Sequence, residues 1–188
     1  MRYLPLLLLL AVPISACDDA VDIADETAVA VIESPADTST GVTGMATFTQ
    51  SGDVLGIELT LDGVEPTTTH GFHIHAVGDC GRGDHDGDGF AEVAGAAMGH
   101  YDPDNTMNHG GPRDPITAKH AGDLGNITVN ANGSVTLQAR SNQLSLSGDR
   151  PVIGLAVMLH SMPDDLQTDP GGNSGDRIAC GVVRRTAD

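Results

Sequence analysis

Apolar and polar positions alternate over several short stretches of this chain. In residues 54–61, Leu55, Ile57, Leu59 and Leu61 alternate with Gly56, Glu58 and Thr60, the pattern of a half-buried strand. Residues 41–50 form the facing arm of a hairpin around Ser51-Gly52-Asp53. Residues 28–32 read as a first strand, broken by Ser34-Pro35-Ala36-Asp37, and residues 70–76 as a fourth. Residues 127–129 and 135–137 flank Asn132-Gly133, a strong short-range hairpin signal. Residues 152–160 and 178–183 supply two more apolar runs. About eight strands without an internal repeat predict an all-β sandwich or barrel. Residues 77–125 break the pattern, with almost no apolar periodicity. A loop this long inside a compact domain is uncommon and usually functional or disordered. Metal bonds and a disulfide are the available substitutes for the hydrophobic core it lacks, and candidates for both lie within it.

Composition agrees with this reading. A chain of 188 residues suits one domain with a proper core and a short extra segment. Gly is abundant at 24, aromatics make up 3% and Trp is absent. The formal net charge of −17 makes nucleic acid and anionic lipid surfaces poor partners. An anionic substrate would need local positive charge to overcome that field.

The N-terminus reads as an address. Arg2 precedes an apolar stretch, residues 4–14, that includes five consecutive leucines. This is signal-peptide length and too short to span a bilayer. Ile14-Ser15-Ala16-Cys17 then resembles the bacterial lipoprotein cleavage box, in which the Cys becomes the lipid-bearing first residue. An ordinary cleavage site prefers a small residue where Ile14 stands. Residues 1–16 are therefore expected to be a lipoprotein signal peptide. Residues 17–27 would be a lipidated Cys17 and an acidic tether, and residues 28–188 the domain. Of the three cysteines, Cys80 and Cys180 are left free to pair.

The candidate chemistry is histidine-rich. Six of the eight histidines lie between His70 and His120 on regular motifs, together with Asp123, and histidine is the commonest metal ligand among side chains. In His70-Gly71-Phe72-His73-Ile74-His75, a strand places His73 and His75 on one face and Phe72 and Ile74 on the other. His70 falls on the Phe72 side and reads as a hydrogen-bonded core histidine. In the run ending at His160, Leu155, Val157 and Leu159 share one face, and Ala156, Met158 and His160 the other. His100, His109, His120 and Asp123 offer three nitrogens and one oxygen, a closed tetrahedral set for zinc. His73, His75, His100 and His160 offer four nitrogens, which suit tetragonal Cu(II). His100 belongs to both sets, and a deprotonated imidazole can bridge two metals.

These motifs, in order, resemble the copper/zinc superoxide dismutases of bacterial, periplasmic type. The resemblance rests on His70–His75 with Gly78-Asp79-Cys80, Gly99-His100-Tyr101-Asp102-Pro103 and His109-Gly110-Gly111-Pro112. It continues through residues 120–126, Leu146-Ser147-Gly148-Asp149, and His160 with Asp164-Asp165-Leu166. Residues 172–183 complete it, so that residues 28–184 are covered. It implies an eight-stranded Greek-key β-sandwich or barrel with long metal-binding loops. It also implies copper on His73, His75, His100 and His160, and zinc on His100, His109, His120 and Asp123. Asp164 would link ligands of the two metals. Arg177 would receive the substrate anion beside copper, and Cys80 and Cys180 would form the disulfide. The implied reaction is dismutation of superoxide to dioxygen and hydrogen peroxide, with catalytic roles for Arg177 and His100, in a monomer or homodimer. The implied place is the periplasmic side of the cell envelope, on a membrane through the lipid of Cys17. A non-enzymatic copper- and zinc-binding lipoprotein on the same fold is the alternative.

The chain departs from the family pattern in three places. Tyr101-Asp102 stands where Phe-Asn is frequent. The stretch between Cys80 and His100 is long and carries Asp84-His85-Asp86-Gly87-Asp88-Gly89. Residues 161–176 hold four aspartates and no lysine. Asp84, Asp86, Asp88 and Gly89 match the first half of a calcium loop, but Gly95 stands where the pattern requires a bidentate Glu. The stretch is expected to be a solvated acidic loop, His85 included, with at most weak calcium affinity.

Overall fold

The computed structural model describes residues 26–36, 38 and 40–186. Among these residues nine strands run in chain order: β1 (Glu26–Glu33), β2 (Thr43–Ser51), β3 (Val54–Asp62), β4 (Thr69–His75), β5 (Asp123–Thr128), β6 (Val135–Ser141), β7 (Ala156–His160), β8 (Arg177–Val182) and β9 (Arg184–Arg185). They form a single sheet in the order β5-β4-β7-β8-β1-β2-β3-β6, with β9 paired to β1. The end strands β5 and β6 approach each other, so the antiparallel sheet nearly closes into a barrel. The connections β3–β4 and β6–β7 join strands that are not neighbours, as Greek-key folds require. The all-β expectation holds, with the two-residue β9 as an addition.

The alternation in β3 sets its register. Leu55, Ile57, Leu59 and Leu61 are buried and meet Phe48 and Ala46 of β2 inside the barrel. Phe72 and Ile74 of β4 pair with Leu159 and Val157 of β7 and join the same core. The opposite faces of β4 and β7 are buried too. There His73 pairs with Met158 and His75 with Ala156, beneath the long loop. Ala156, Met158 and Cys180 form a second, small apolar cluster with Ala94 and Ala97 of that loop.

Some boundaries differ from expectation. Glu26 and Thr27 belong to β1 rather than to a tether, because they pair with Gln50 and Thr49. Residues 152–155 are a turn rather than strand. Gly154 has a φ of 83° there, and the Leu155 amide donates to the Val152 carbonyl. The long loop is ordered without apolar periodicity. It contains two short 3-10 turns, Gly95–Ala97 and Ile116–Ala118. The Cys80–Cys180 disulfide ties it to β8 across a sequence separation of 100 residues. In the chain-entropy account, a closed loop of that size is worth about 4–5 kcal/mol. Residues 1–25, with the expected signal peptide, Cys17 and most of the tether, lie outside the described residues.

Candidate metal centre

Strand pairing assembles the site. The loop at His100 pairs back along β4: the Ala76 amide donates to the Gly99 carbonyl and the Tyr101 amide to the Ile74 carbonyl. This sets His100 beside His75. The first residue of β5, Asp123, pairs with His73 across a register shift in β4. The adjoining Gly122 is required here, because a Cβ would lie 2.1 Å from the Ile74 carbonyl oxygen. On β7, His160 lies opposite Arg177 of β8, again at a register shift.

The imidazoles cluster around His100. Its ring centroid lies 4.2 Å from that of His73, 5.0 Å from His75, 5.3 Å from His109 and 5.5 Å from His120. The donor atoms fall into the two sets expected from sequence: His73, His75, His100 and His160, and His100, His109, His120 and Asp123. Within each set they lie within 4.8 Å of one another. His70 stands apart, buried, with Nδ1 bonded to the His160 carbonyl at 2.8 Å.

The outer hydrogen bonds decide which nitrogen of each ring is free. His75 Nδ1 donates to the Met98 carbonyl at 2.8 Å, and His160 Nδ1 to the Gly175 carbonyl at 3.2 Å. Their unprotonated Nε2 atoms then face each other at 3.3 Å. Asp164 accepts from His73 Nε2 and from His109 Nε2, both at 2.8 Å, and so links the two sets. That leaves Nδ1 of His73 and of His109 buried without a hydrogen-bond partner among the described residues. His109 Nδ1 does lie 3.1 Å from Asp123 Oδ1, but without hydrogen-bond geometry. The same oxygen is 2.7 Å from His100 Nδ1 and 3.3 Å from His120 Nδ1. Buried nitrogens that face one another, or converge on one carboxylate oxygen, are the donor arrangement a cation requires. The donors present therefore fit both groups: four imidazoles suit copper, and three imidazoles with a carboxylate suit zinc.

The electrostatics agree. Burial, then the neighbouring imidazole of His73, push His100 down to about 3 against its bond to Asp123. Burial and the surrounding His100, Arg177 and His160 hold His75 well below its ordinary value. His160 is lowered likewise by burial, His73 and His100. Burial opposes ionisation of Asp123, but the converging imidazoles of His100, His109 and His120 outweigh it and hold the carboxyl far below the usual range. Burial also works against His109, yet the carboxylates of Asp123 and Asp164 raise it to about 9. Metal ligands must be deprotonated, and the same burial that lowers His75, His100 and His160 favours their neutral form.

Arg177 is buried beside this cluster rather than solvated, at 8% exposure. Its guanidinium donates to the Ala94 and Met98 carbonyls, both at 2.7 Å. The Met98 carbonyl thus holds both Arg177 and His75. Met98 itself has φ 62° and ψ −157°, a region that costs a non-glycine residue about 1–3 kcal/mol. His75, His100, His160 and Arg177 open onto one cavity of about 790 Å³.

Several supporting groups carry no motif of their own. Asn126 exchanges two bonds with the Asp164 backbone, both at 2.8 Å. Lys119 is buried and donates to the His120 and Asp123 carbonyls. Asp169 accepts the His109 amide at 2.5 Å. Gly172, with φ 65°, leaves room for Asp164, whose Oδ1 would lie 1.9 Å from a Cβ. The unusual Asp102 caps its own loop, accepting the amides of Thr106 and Met107 at 3.0 and 2.9 Å.

An antiparallel barrel carrying two histidine-rich donor sets that share one imidazole defines a dinuclear metalloprotein. Comparison with known proteins agrees. The family model for copper/zinc superoxide dismutase (SODC) matches residues 42–183. A Cu-Zn superoxide dismutase of Deinococcus radiodurans is 39% identical over 143 residues, covering 76% of this chain and 78% of that protein. The crystal structure of the clock protein EA4 has a TM-score of 0.70 and 32% identity, over 86% of this chain and 96% of that one. The chain belongs to the copper/zinc superoxide dismutase family.

Proposed function

We infer that this protein dismutates superoxide: two superoxide anions and two protons become one dioxygen and one hydrogen peroxide. The observation that carries this reading is the position of His100, shared by two four-donor sets on a cavity that also exposes the buried Arg177. Copper on His73, His75, His100 and His160 would supply one-electron redox chemistry. Zinc on His100, His109, His120 and Asp123 would fix the shared ring. The chain's own groups do the rest. Arg177 offers a fixed positive charge and N–H donors to an entering anion. His100 is placed to hold a proton at Nε2, its Nδ1 being turned to Asp123. Asp164 keeps His73 and His109 in the tautomers that leave Nδ1 free, a known means of orienting metal-bound imidazoles. Simple metal storage would not require a buried arginine on the cavity. Copper and zinc analysis with a superoxide-decay assay on the same preparation tests the reading.

The protein is further proposed to be a lipoprotein of the bacterial cell envelope, facing the periplasm, with residues 1–16 as signal peptide and Cys17 as the lipidated residue. What supports this is the order Arg2, apolar run, Ile14-Ser15-Ala16-Cys17, together with a disulfide that needs an oxidising compartment. Cys17→Ser is expected to shift the protein from the membrane to the soluble fraction or to leave the leader uncleaved. Unchanged membrane fractionation of this variant, with normal processing, would refute lipidation there. The acidic surface argues against nucleic acid as a partner, and the protein is expected to act as a monomer or homodimer.

A further inference from the structure

Outside the two sets described above, a third group of unlike donors converges in the long stretch after Cys80. His85 Nδ1 lies 2.8 Å from Glu92 Oε2. The Asp86 carboxylate joins them, the three donor atoms lying within 4.8 Å of one another. The three stand on the two arms of one loop. Gly83 and Glu92 exchange backbone hydrogen bonds of 3.1 and 2.8 Å, which brings the arms together. An overlapping group, Asp84, Asp86 and Asp88, has a different character. Asp84 accepts the amides of Gly87 and Gly89, Asp86 that of Asp88 through Oδ1, and Asp88 that of Phe90. These carboxylates serve their own turn, and that acidic group carries nothing by itself; what distinguishes Asp86 is the imidazole and second carboxylate that converge on it. One imidazole with two carboxylates is a donor set for a borderline divalent transition ion, whereas calcium takes oxygen alone.

The position of the group gives it a consequence. His85 and Glu92 line the same cavity as His75, His160 and Arg177. Glu92 is close enough for its charge to act on the Arg177 guanidinium. Two residues beyond it, the Ala94 carbonyl accepts from Arg177 at 2.7 Å. The opposite wall adds Asp169 and Asp176, in a chain of net charge −17. Arg82 and Arg177 are the cationic residues of the lining, and the three carboxylates of Glu92, Asp169 and Asp176 outnumber them, so this mouth opposes the entry of an anion. A dication held by His85, Asp86 and Glu92 would reverse the local sign a short way from Arg177.

We propose that His85, Asp86 and Glu92 form a third, exchangeable metal site at the mouth of the copper cavity. It takes Zn²⁺ or a similar borderline divalent ion, and its filling speeds the capture of superoxide. The capture half rests on the dismutase reading, and the binding half does not.

The test uses holoprotein already saturated with copper and zinc. Calorimetric titration with Zn²⁺ is expected to show one further equivalent, unaffected by excess Ca²⁺. In His85→Ala and in Glu92→Gln its affinity should fall about tenfold or more, with the copper electron paramagnetic resonance spectrum unchanged. Absence of a further equivalent, or equal affinity in both variants, overturns the site. In the second arm, superoxide decay is followed at low ionic strength with and without added Zn²⁺. The wild type should accelerate about twofold or more, and His85→Ala should not respond. A third equivalent that leaves the wild-type rate unchanged overturns the capture role. A holoprotein that binds the third ion but dismutates nothing overturns the dismutase reading and the capture role together, while the binding site stands.

Discussion

His73→Ala is expected to abolish dismutation and to weaken copper retention by well over the about 10- to 100-fold typical of losing a mere supporting partner. His73 is fully buried, and its Nε2 is committed to Asp164. Its Nδ1 has no hydrogen-bond partner among the described residues, and His73 joins His75, His100 and His160 in one set whose donor atoms lie within 4.8 Å of one another, which suits that nitrogen to a metal bond. Removing the ring also frees Asp164 Oδ2, whose partner Oδ1 holds His109 of the other set. Zinc binding should therefore weaken as well, though less than copper binding. Metal analysis and superoxide decay on the reconstituted variant measure both effects. Undiminished decay in a copper-loaded His73→Ala protein would remove His73 from the site.

Arg177→Glu is expected to slow the reaction at low ionic strength by about ten- to a thousandfold, the range over which charge at a cleft mouth changes capture rates. The same substitution strands the Ala94 and Met98 carbonyls, and an unpaired buried acceptor costs about 1–3 kcal/mol. Part of any loss could then come from the loosened Met98 carbonyl, which also holds His75. Arg177→Lys separates the two effects, because it keeps the charge and loses the fork. Lys should retain most of the rate and its salt dependence, with metal content intact in both variants. Equal rates in the Glu, Lys and wild-type proteins at low ionic strength would show that Arg177 does not guide the anion.

Much of this arrangement is legible in the sequence because strands have a period of two. That period separates Phe72 and Ile74 from His73 and His75, and Leu159 from His160. Both faces of β4 are buried, one by the barrel core and one by the loop, and only the first face announces itself by apolar alternation. The ordering of residues 77–125 was not legible, since polar bonds and the disulfide hold the loop, and these have no periodicity. Nor was the pairing of His160 with Arg177, which depends on β7 lying between β4 and β8 and on a register shift. From sequence, Arg177 is tied to anion guidance only through the family resemblance. Its burial comes from the Ala94 and Met98 carbonyls, and a carbonyl carries no residue signature. The same holds for His85 and Glu92, seven positions apart, which a backbone bridge between Gly83 and Glu92 brings together.

The most direct measurement is superoxide decay after a radiolysis pulse, followed on holoprotein with known copper and zinc content. Catalysed decay in proportion to bound copper, lost when copper is withdrawn and restored when it is returned, is the predicted result. Decay at the uncatalysed rate with both metals in place would contradict it.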